Sequence, residues 1–158
     1  MRQAEKLERT RIVLITDAAG LDKAEVKRGL AIMDTNHGEI WGKLDAGTET
    51  YFKLVNRTTV RLERVLKNLL ETARVRPIVI QSLFLKLHGQ SMPPHELAAY
   101  CERLQELLQG GARIKEVHAY TIARPTPEPY ATHLNREELD AVASEIRRAT
   151  GLSVLAFE

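Results

Sequence analysis

Lys43 and Asp45 place two opposite charges two residues apart in the segment 39–47, which otherwise has the pattern of a buried strand. Side chains two apart on a strand point to the same face, so the ammonium and the carboxylate share one side of the predicted sheet. Burying an ion is costly unless it is paired or used. The pair therefore leaves two interpretations open, which are a ligand-binding face and a salt bridge at the end of a strand.

A polar amide and a short polar segment are the other candidates. Gln81 shares one side of a predicted strand with the apolar Val79. A buried amide needs hydrogen-bond partners, so Gln81 either binds a ligand or is satisfied by neighbouring backbone. Tyr120 lies at the end of a further strand, and Arg124 follows in the proline-rich loop 123–129. Such a loop either presents backbone groups to a purine ring or is a plain connection.

Several other chemistries lack the residues they need. The five histidines fall at no recognised metal spacing, and four of them lie in or beside predicted loops, where we interpret them as solvated. Cys101 is the only cysteine, so this chain alone can form neither an internal disulfide nor a thiolate cluster. The sequence contains no glycine-rich phosphate loop, no serine nucleophile elbow and no paired metal carboxylates. No metal-binding residues are predicted, and the strand ends are left as the candidate site.

Length and composition limit the classes of protein that fit. A chain of 158 residues suits one domain over residues 1–158 but is short for a complete (β/α)8 barrel of about 250 residues. The net charge of +2 is too balanced to favour nucleic acid or an anionic membrane as the main partner. The N-terminus lacks the apolar core of a secretion signal, and no apolar run approaches the roughly 20 residues of a membrane span. We therefore expect a cytoplasmic protein.

Strands and helices alternate along the chain. Strands are predicted at residues 11–16, 39–45, 77–85, 114–122 and 153–157. Four helices lie between them, with Asp22 capping the first, Thr59 opening the second and Asn135 capping the last, and a short helical turn lies within 48–56. Such alternation implies right-handed crossovers and a parallel sheet. We predict an α/β fold of parallel strand-helix repeats that form a partial (β/α) TIM-like barrel of about five strands, with function after the carboxyl ends of the strands.

The ordered strand motifs resemble one family. The string Ile-Trp-Gly-Lys-Leu-Asp-Ala-Gly at 40–47, followed by Tyr-Phe-Lys-Leu-Val-Asn-Arg at 51–57, resembles the fourth-strand region of radical S-adenosylmethionine (radical SAM) iron-sulfur proteins. Residues 78–84 are similar to their fifth strand, and residues 119–125 with the later Pro-Glu-Pro are similar to the sixth. Residues 15–18 are similar to the end of the third strand, where the family often has asparagine at the position of Asp17. The resemblance covers nearly the whole chain.

The resemblance implies a set of cofactor-side residues. In the family these strand ends contact the methionine, ribose and adenine parts of S-adenosylmethionine, and the matching residues here are Thr16, Asp17, Lys43, Asp45, Gln81, Tyr120 and Arg124. The parent family also holds a 4Fe-4S cluster. Its Cys-x-x-x-Cys-x-x-Cys loop and its Gly-Gly-Glu-Pro type segment have no counterpart in this sequence, and Cys101 matches no cluster position. We therefore expect no cluster in this chain alone.

Two functions from different classes follow. The first is the C-terminal, cofactor- and substrate-side part of a radical SAM iron-sulfur protein, which is inactive alone because reductive cleavage of S-adenosylmethionine needs the cluster. The chain is then a piece of a longer protein or a free-standing remnant, and its partner is the missing N-terminal half-barrel. The alternative is a non-catalytic α/β binding or interaction module that forms a homodimer through its open sheet edge. A doubly wound nucleotide binder is a weaker third hypothesis, because a phosphate loop is absent.

Overall fold

A computed structural model describes residues 10–124 and 126–158 of the chain. Residues 1–9 and Pro125 belong to the predicted domain 1–158 but lie outside the described residues, so the prediction of a single domain stays a prediction. The strands are β1 (Val13–Thr16), β2 (Glu39–Lys43), β3 (Ile78–Leu83), β4 (Leu85–Leu87), β5 (Ile114–Tyr120), β6 (Ala131–His133) and β7 (Val154–Phe157). The helices are α1 (Ala24–Thr35), α2 (Glu49–Asn56), α3 (Leu62–Val75), α4 (Pro94–Gln109) and α5 (Arg136–Thr150).

Five strands form one sheet in the order β1-β2-β3-β5-β7. Every neighbouring pair in this sheet is parallel, as short strand-helix repeats with right-handed crossovers require. The predicted α/β fold, a partial (β/α) barrel of about five strands, is therefore confirmed.

A small second sheet was not predicted. Strands β4 and β6 pair antiparallel, with Leu85 opposite His133. The sequence analysis extended the third strand through residue 85, but the strand breaks at the buried Phe84, whose backbone N–H donates to the carbonyl of Tyr120. Because β4 follows β3 and β6 follows β5, this small sheet lies beyond the carboxyl ends of the main strands.

The helices cover one face of the five-stranded sheet. Alternate strand residues such as Ile40, Ile80 and Val117 are buried in one apolar core with helix residues such as Leu69 and Leu104. Gly42 has the same strand parity, and a Cβ atom on it would lie 2.3 Å from Leu69 Cδ2. A larger residue at position 42 would therefore displace the buried side chain of Leu69 where α3 packs on β2.

The opposite face of the sheet is largely uncovered in the described part of the chain. It carries Trp41 and Lys43 in the middle and apolar side chains on the two edge strands. On β1, Ile15 is 54% exposed, and on β7, Phe157 is 45% exposed. Neither β1 nor β7 has a second strand neighbour among the described residues. In a closed (β/α)8 barrel, helices cover the outer face of the sheet and the strands enclose the inner face. The described sheet has the helical cover on one face, and its other face is open.

Two predicted helix starts are wrong. The residue before α1 is Lys23, which makes no side-chain capping bond, while Asp22 pairs with Arg64 at 3.0 Å. The long helix begins at Leu62 rather than at Thr59. Asp22 is thus engaged by a tertiary partner, and at the start of α3 the backbone N–H of Leu62 donates to the side chain of Glu49 at 2.7 Å.

The last helix starts and ends as predicted. Asn135 accepts a hydrogen bond from the backbone of Glu138, whose side chain returns one to the backbone N–H of Asn135. Gly151 closes the helix with a φ of 72°, a left-handed conformation that glycine adopts without steric cost. The short turn predicted within 48–56 is the helix α2, which brings the number of described helices to five.

No helix among the described residues is both long enough and apolar enough to cross a membrane.

Replacing Gly42 with alanine tests the close approach of α3 to the sheet. The added methyl group collides with Leu69, so we expect Gly42→Ala to lower the free energy of unfolding by about 1–3 kcal/mol. Urea unfolding measures this change. The matched control is Gly29→Ala in α1, where an added Cβ meets nothing within 4 Å and alanine favours the helix by about 1 kcal/mol. Equal stabilities of the two variants would contradict the packing described.

Candidate functional site

A row of polar side chains crosses the uncovered face of the sheet. Lys43 at the end of β2 is in register with Gln81 on β3, and Gln81 is in register with His118 on β5. Strand neighbours in register lie side by side about 4.8 Å apart. Two of the predicted site residues are therefore adjacent on the open face, together with one histidine.

Lys43 is held by two partners. Its Nζ atom donates to the hydroxyl of Tyr120, lies 4.9 Å from the centre of that ring, and is 3.7 Å from Oδ2 of Asp45. Burial favours the neutral amine, but the charge of Asp45 and the hydrogen bond to Tyr120 outweigh this effect and raise the pKa of Lys43. The site thus keeps a positive charge at neutral pH, and an ammonium has three donors to share.

Asp45 is buried and saturated by the protein itself, with 2% of its surface exposed. Its Oδ1 accepts from the backbone N–H of Leu83 at 2.8 Å, and its Oδ2 accepts from the side-chain amide of Asn56 at 2.8 Å. The carboxylate therefore joins the ends of β2 and β3 to the end of α2. This geometry fits a residue that positions Lys43 better than one that reaches a ligand.

A second buried carboxylate fixes the loop between β2 and α2. Glu96, in the first turn of α4, is 2% exposed. It accepts from the backbone N–H groups of Gly47 and Thr48 at 2.7 and 3.0 Å, and from the Thr48 hydroxyl at 2.6 Å. A Cβ atom on Gly47 would lie 2.1 Å from the backbone nitrogen of Tyr100, so the loop packs directly on α4. Glu96 is not predicted as a site residue from the sequence, because an acidic residue in the first turn of a helix is common.

A cavity of about 330 Å³ opens beside Lys43. Its polar lining includes Asp17, Lys43, Asn56 and Arg57, and Phe52 with two valines supplies apolar walls. The volume is near the lower end of the range for ligand pockets, about 300–1,000 Å³. Asn56 and Arg57 were quoted in the family resemblance but not selected as site residues, because no strand pattern places them.

Arg57 sits at the rim of this cavity. It ends α2 in a left-handed conformation, with a φ of 50°, and its Nη1 atom lies 2.5 Å from Oε1 of Glu128 in the proline-rich loop. The hydrogen bond and the charge of Glu128 raise the pKa of Arg57. Because both side chains are substantially exposed, the ion pair contributes little to stability and can exchange partners.

The remaining predicted site residues, Thr16, Asp17 and Arg124, do not all lie beside Lys43. Thr16 is in register with Gly42, on the helix-covered face, and its hydroxyl accepts from the backbone N–H of Ala18. Asp17 makes a similar turn contact with Ala19 and also lines the cavity. Arg124 lies exposed in its loop. The structure thus brings together Asp17, Lys43, Asp45, Gln81 and Tyr120, and it leaves Thr16 and Arg124 apart from them.

His118 is the one histidine that lies within a predicted strand rather than in or beside a predicted loop, and the structure places it on β5. It is 5% exposed, and its Nε2 atom lies 2.8 Å from Oε1 of Glu116. The rings of Trp41 and Phe157 meet it edge-on at 4.6 and 5.0 Å. The signal that identifies it is strand parity, since His118 lies two residues before Tyr120 and so shares its face.

The residues present do not fit an iron-sulfur cluster. Cys101 is buried in α4, and burial, with a smaller effect of the Glu145 charge, raises the pKa of its thiol to about 11. A cluster ligand must be a thiolate. Among the described residues, no group of three or more histidine, cysteine or acidic side chains is arranged to hold a metal ion.

Comparison with known proteins finds the same fold in two radical SAM structures. A radical SAM methyltransferase from Sphaerobacter thermophilus aligns with 92% of this chain at a TM-score of 0.64 and 13% identity. A domain of pyruvate-formate lyase-activating enzyme from Bacteroides vulgatus aligns with 98% of this chain at a TM-score of 0.67 and 14% identity. No protein-family model matches the sequence, and no curated protein matches it significantly.

The two structures match to different extents along their own lengths. This chain spans 40% of the methyltransferase chain and 88% of the activating-enzyme domain. The chain therefore has the fold of a partial barrel from radical SAM proteins, and the predicted resemblance to that family is confirmed at the level of the fold.

The role of Asp45 as a buried connector gives a prediction about stability. Asp45→Ala leaves the N–H of Leu83 and the amide of Asn56 without their acceptor, so we expect a loss of roughly 3 kcal/mol in the free energy of unfolding. Chemical denaturation measures it. The control is Asp140→Ala, which removes an exposed pair with Arg136 and costs at most about 1 kcal/mol. A loss for Asp45→Ala no larger than for the control would contradict the assignment.

Proposed function

We propose that this chain is the cofactor- and substrate-side, C-terminal part of a radical SAM iron-sulfur protein of the cytoplasm. Its open sheet face binds S-adenosylmethionine, and a separate N-terminal half-barrel carries the 4Fe-4S cluster. The observation that carries the proposal is the row of Lys43, Gln81 and His118, which faces away from the helices at the carboxyl ends of parallel strands. That is where ligands bind in sheets of this kind.

Lys43 and Gln81 offer a ligand two different kinds of contact, a positive charge and hydrogen-bonding groups. Lys43 keeps a positive charge that is held in place by Asp45 and Tyr120. The side-chain amide of Gln81 makes no hydrogen bond to the described residues, so its donors and its acceptor are free for a ligand. The bound S-adenosylmethionine supplies radical chemistry only when a reduced cluster is present. The residues of this chain bind and orient it.

The likeness in fold to two radical SAM structures supports the same proposal. Among the described residues, β1 and β7 have no second strand neighbour, and exposed apolar side chains lie on the sheet face between them. Both features support a partner that completes the barrel. Since the cysteine content does not fit the cluster, the chain alone is not expected to cleave S-adenosylmethionine.

Titration calorimetry with S-adenosylmethionine tests the binding role. We expect measurable affinity for the unmutated chain and a Kd at least tenfold weaker for Lys43→Ala, because a charge-assisted contact contributes about 1.5–3 kcal/mol. Lys53→Ala is the matched control, since Lys53 lies exposed on α2 and pairs only with Glu49. An unmutated chain without detectable binding, or equal affinities for the two variants, would refute the proposal.

A second candidate function is favoured by the same exposed face. In this alternative the chain is a non-catalytic interaction module whose copies pair through the sheet edge. Ile15 on β1 and Phe157 on β7 are large apolar side chains on strands that have no second neighbour in the described part of the chain, and such edges promote association.

Light scattering over a range of concentrations decides whether copies pair. If they do, the unmutated chain exceeds the monomer mass at high concentration, and Ile15→Lys restores the monomer mass. Ile32→Lys is the control, because Ile32 is the same residue type and is also largely exposed but lies on α1. A monomer at all concentrations would exclude this second candidate.

A further inference from the structure

A second cavity, of about 440 Å³, lies between α2 and the turn that follows β4. We call it the hairpin cavity. Its lining comes from Tyr51 and Leu54 on α2, from the segment 87–93, and from Tyr130 just before β6. It shares no lining residue with the cavity beside Lys43. The volume lies within the range of small-molecule pockets, about 300–1,000 Å³.

The two cavities use different faces of α2. Tyr51 and Leu54 line the hairpin cavity, whereas Phe52 and Asn56 line the cavity beside Lys43. With 3.6 residues per helical turn, these two pairs point away from the helix in different directions. A ligand in the hairpin cavity therefore occupies a site of its own, outside the face of the five-stranded sheet.

The backbone of the hairpin turn is fixed by hydrogen bonds. Leu87 and Gln90 each donate a backbone N–H to the carbonyl of the other at 2.9 Å. Between them, His88 and Gly89 have positive φ values of 51° and 76°, as a two-residue type I′ turn requires. The backbone N–H of His88 also donates to the carbonyl of Tyr130 at 2.8 Å. The segments that carry these side chains are thus held in place without a ligand, which reduces the ordering that binding must impose.

Aromatic rings and an aliphatic side chain line the hairpin cavity. The rings of His88 and Tyr130 are stacked, with their centres 4.7 Å apart and their planes 9° from parallel. Tyr130 is 36% exposed and Leu54 is 57% exposed, so apolar area beside the stacked pair is open to solvent. Aromatic rings pack on one another in offset or edge-on geometry. This lining therefore suits a ligand with a ring.

Uncharged polar groups also line the hairpin cavity. The side chains of Gln90 and Ser91 and the hydroxyl of Tyr51 make no hydrogen bond to the described residues. Burial, with a smaller effect of the Glu96 charge, raises the pKa of Tyr51 to about 12, so this hydroxyl keeps its proton and can donate. Among the described residues that line the cavity, none is an aspartate, glutamate, lysine or arginine. The cavity offers hydrogen bonds but no counter-charge for an ion.

We propose that the hairpin cavity binds a neutral aromatic molecule that carries a hydrogen-bonding substituent. The ring packs against Leu54 and the stacked rings of His88 and Tyr130. The substituent bonds to the hydroxyl of Tyr51 and the amide of Gln90. This site goes beyond the proposed function, and its test does not depend on binding of S-adenosylmethionine, because the residues lie outside the face assigned to that molecule.

Nuclear magnetic resonance on the full chain tests the inference with phenol, an uncharged ring with one hydroxyl group at neutral pH. Phenol is added to the nitrogen-15-labelled protein while the side-chain amide signal of Gln90 is followed. We expect that signal to shift in a saturable way. The side-chain amide signal of Gln105, which bonds to Ala149 outside the cavity, should stay unchanged. Absence of a saturable shift at Gln90 overturns the inference.

Two analogues of phenol test the chemical class of the ligand. Cyclohexanol keeps the hydroxyl group but lacks the aromatic ring, and benzoate keeps the ring but carries a negative charge. We expect both to bind at least about threefold more weakly than phenol, because one loses the ring contacts and the other buries an unpaired charge. Equal affinity for phenol and either analogue contradicts a site for neutral aromatic molecules.

A matched pair of variants separates binding from folding. Leu54→Glu places a negative charge in the lining, and Ile32→Glu makes the same kind of change at an exposed aliphatic residue of α1. We expect phenol to bind about tenfold more weakly to Leu54→Glu and with unchanged affinity to Ile32→Glu. Equal affinity of the two variants overturns the inference.

His88→Gly tests the role of the stacked rings. Glycine adopts a positive φ without steric cost, so the variant keeps the turn and removes only the imidazole. We expect phenol to bind about threefold to tenfold more weakly, with an unchanged circular dichroism spectrum. Unchanged affinity for phenol contradicts the ring contact proposed.

Discussion

The buried carboxylate of Asp45 is the interaction on which the rest of the site depends. It ties the backbone of β3 to the end of β2, orients the amide of Asn56 and pairs with the ammonium of Lys43. Without it, the N–H of Leu83 and the amide of Asn56 lose their acceptor, and the ammonium of Lys43 loses its counter-charge. Glu96 has a parallel role one step along the chain, where it fixes the loop that leads into α2. Two buried acids thus hold rigid the strand ends that face the open side.

Much of the fold follows from local pattern. Apolar β-branched runs, glycine stops and the capping box at Asn135 predict the parallel strands and the last helix, because those features are satisfied by neighbours in sequence. The helix starts near Asp22 and Thr59 are not predicted, since Asp22 pairs with the distant Arg64 and the first backbone N–H of α3 donates to Glu49 in α2. The pairing of β4 with β6 is likewise non-local, and nothing in either segment alone indicates it.

Some residues of the site are likewise predicted from the sequence, and others depend on tertiary structure. Strand parity predicts that Lys43 and Asp45 share one face of the sheet. The sequence also places Lys43 and Gln81 near strand ends, but it does not predict that they lie side by side in register. Asn56 and Arg57 line the cavity because the end of α2 lies beside Asp45. The pattern of apolar residues does not predict this position. His118 lies within a predicted strand, but only the folded structure shows that this position is buried between two aromatic rings. Residue type alone is a weaker guide than position on an element.

The central claim is that the open face of the half-barrel is the binding face for S-adenosylmethionine. A crystal structure of the chain with this molecule tests it most directly. The account predicts density on the uncovered side of the sheet, in contact with Lys43 and Gln81. Density on the helical side, or a well-ordered open face with no ligand at saturating concentration, would contradict it.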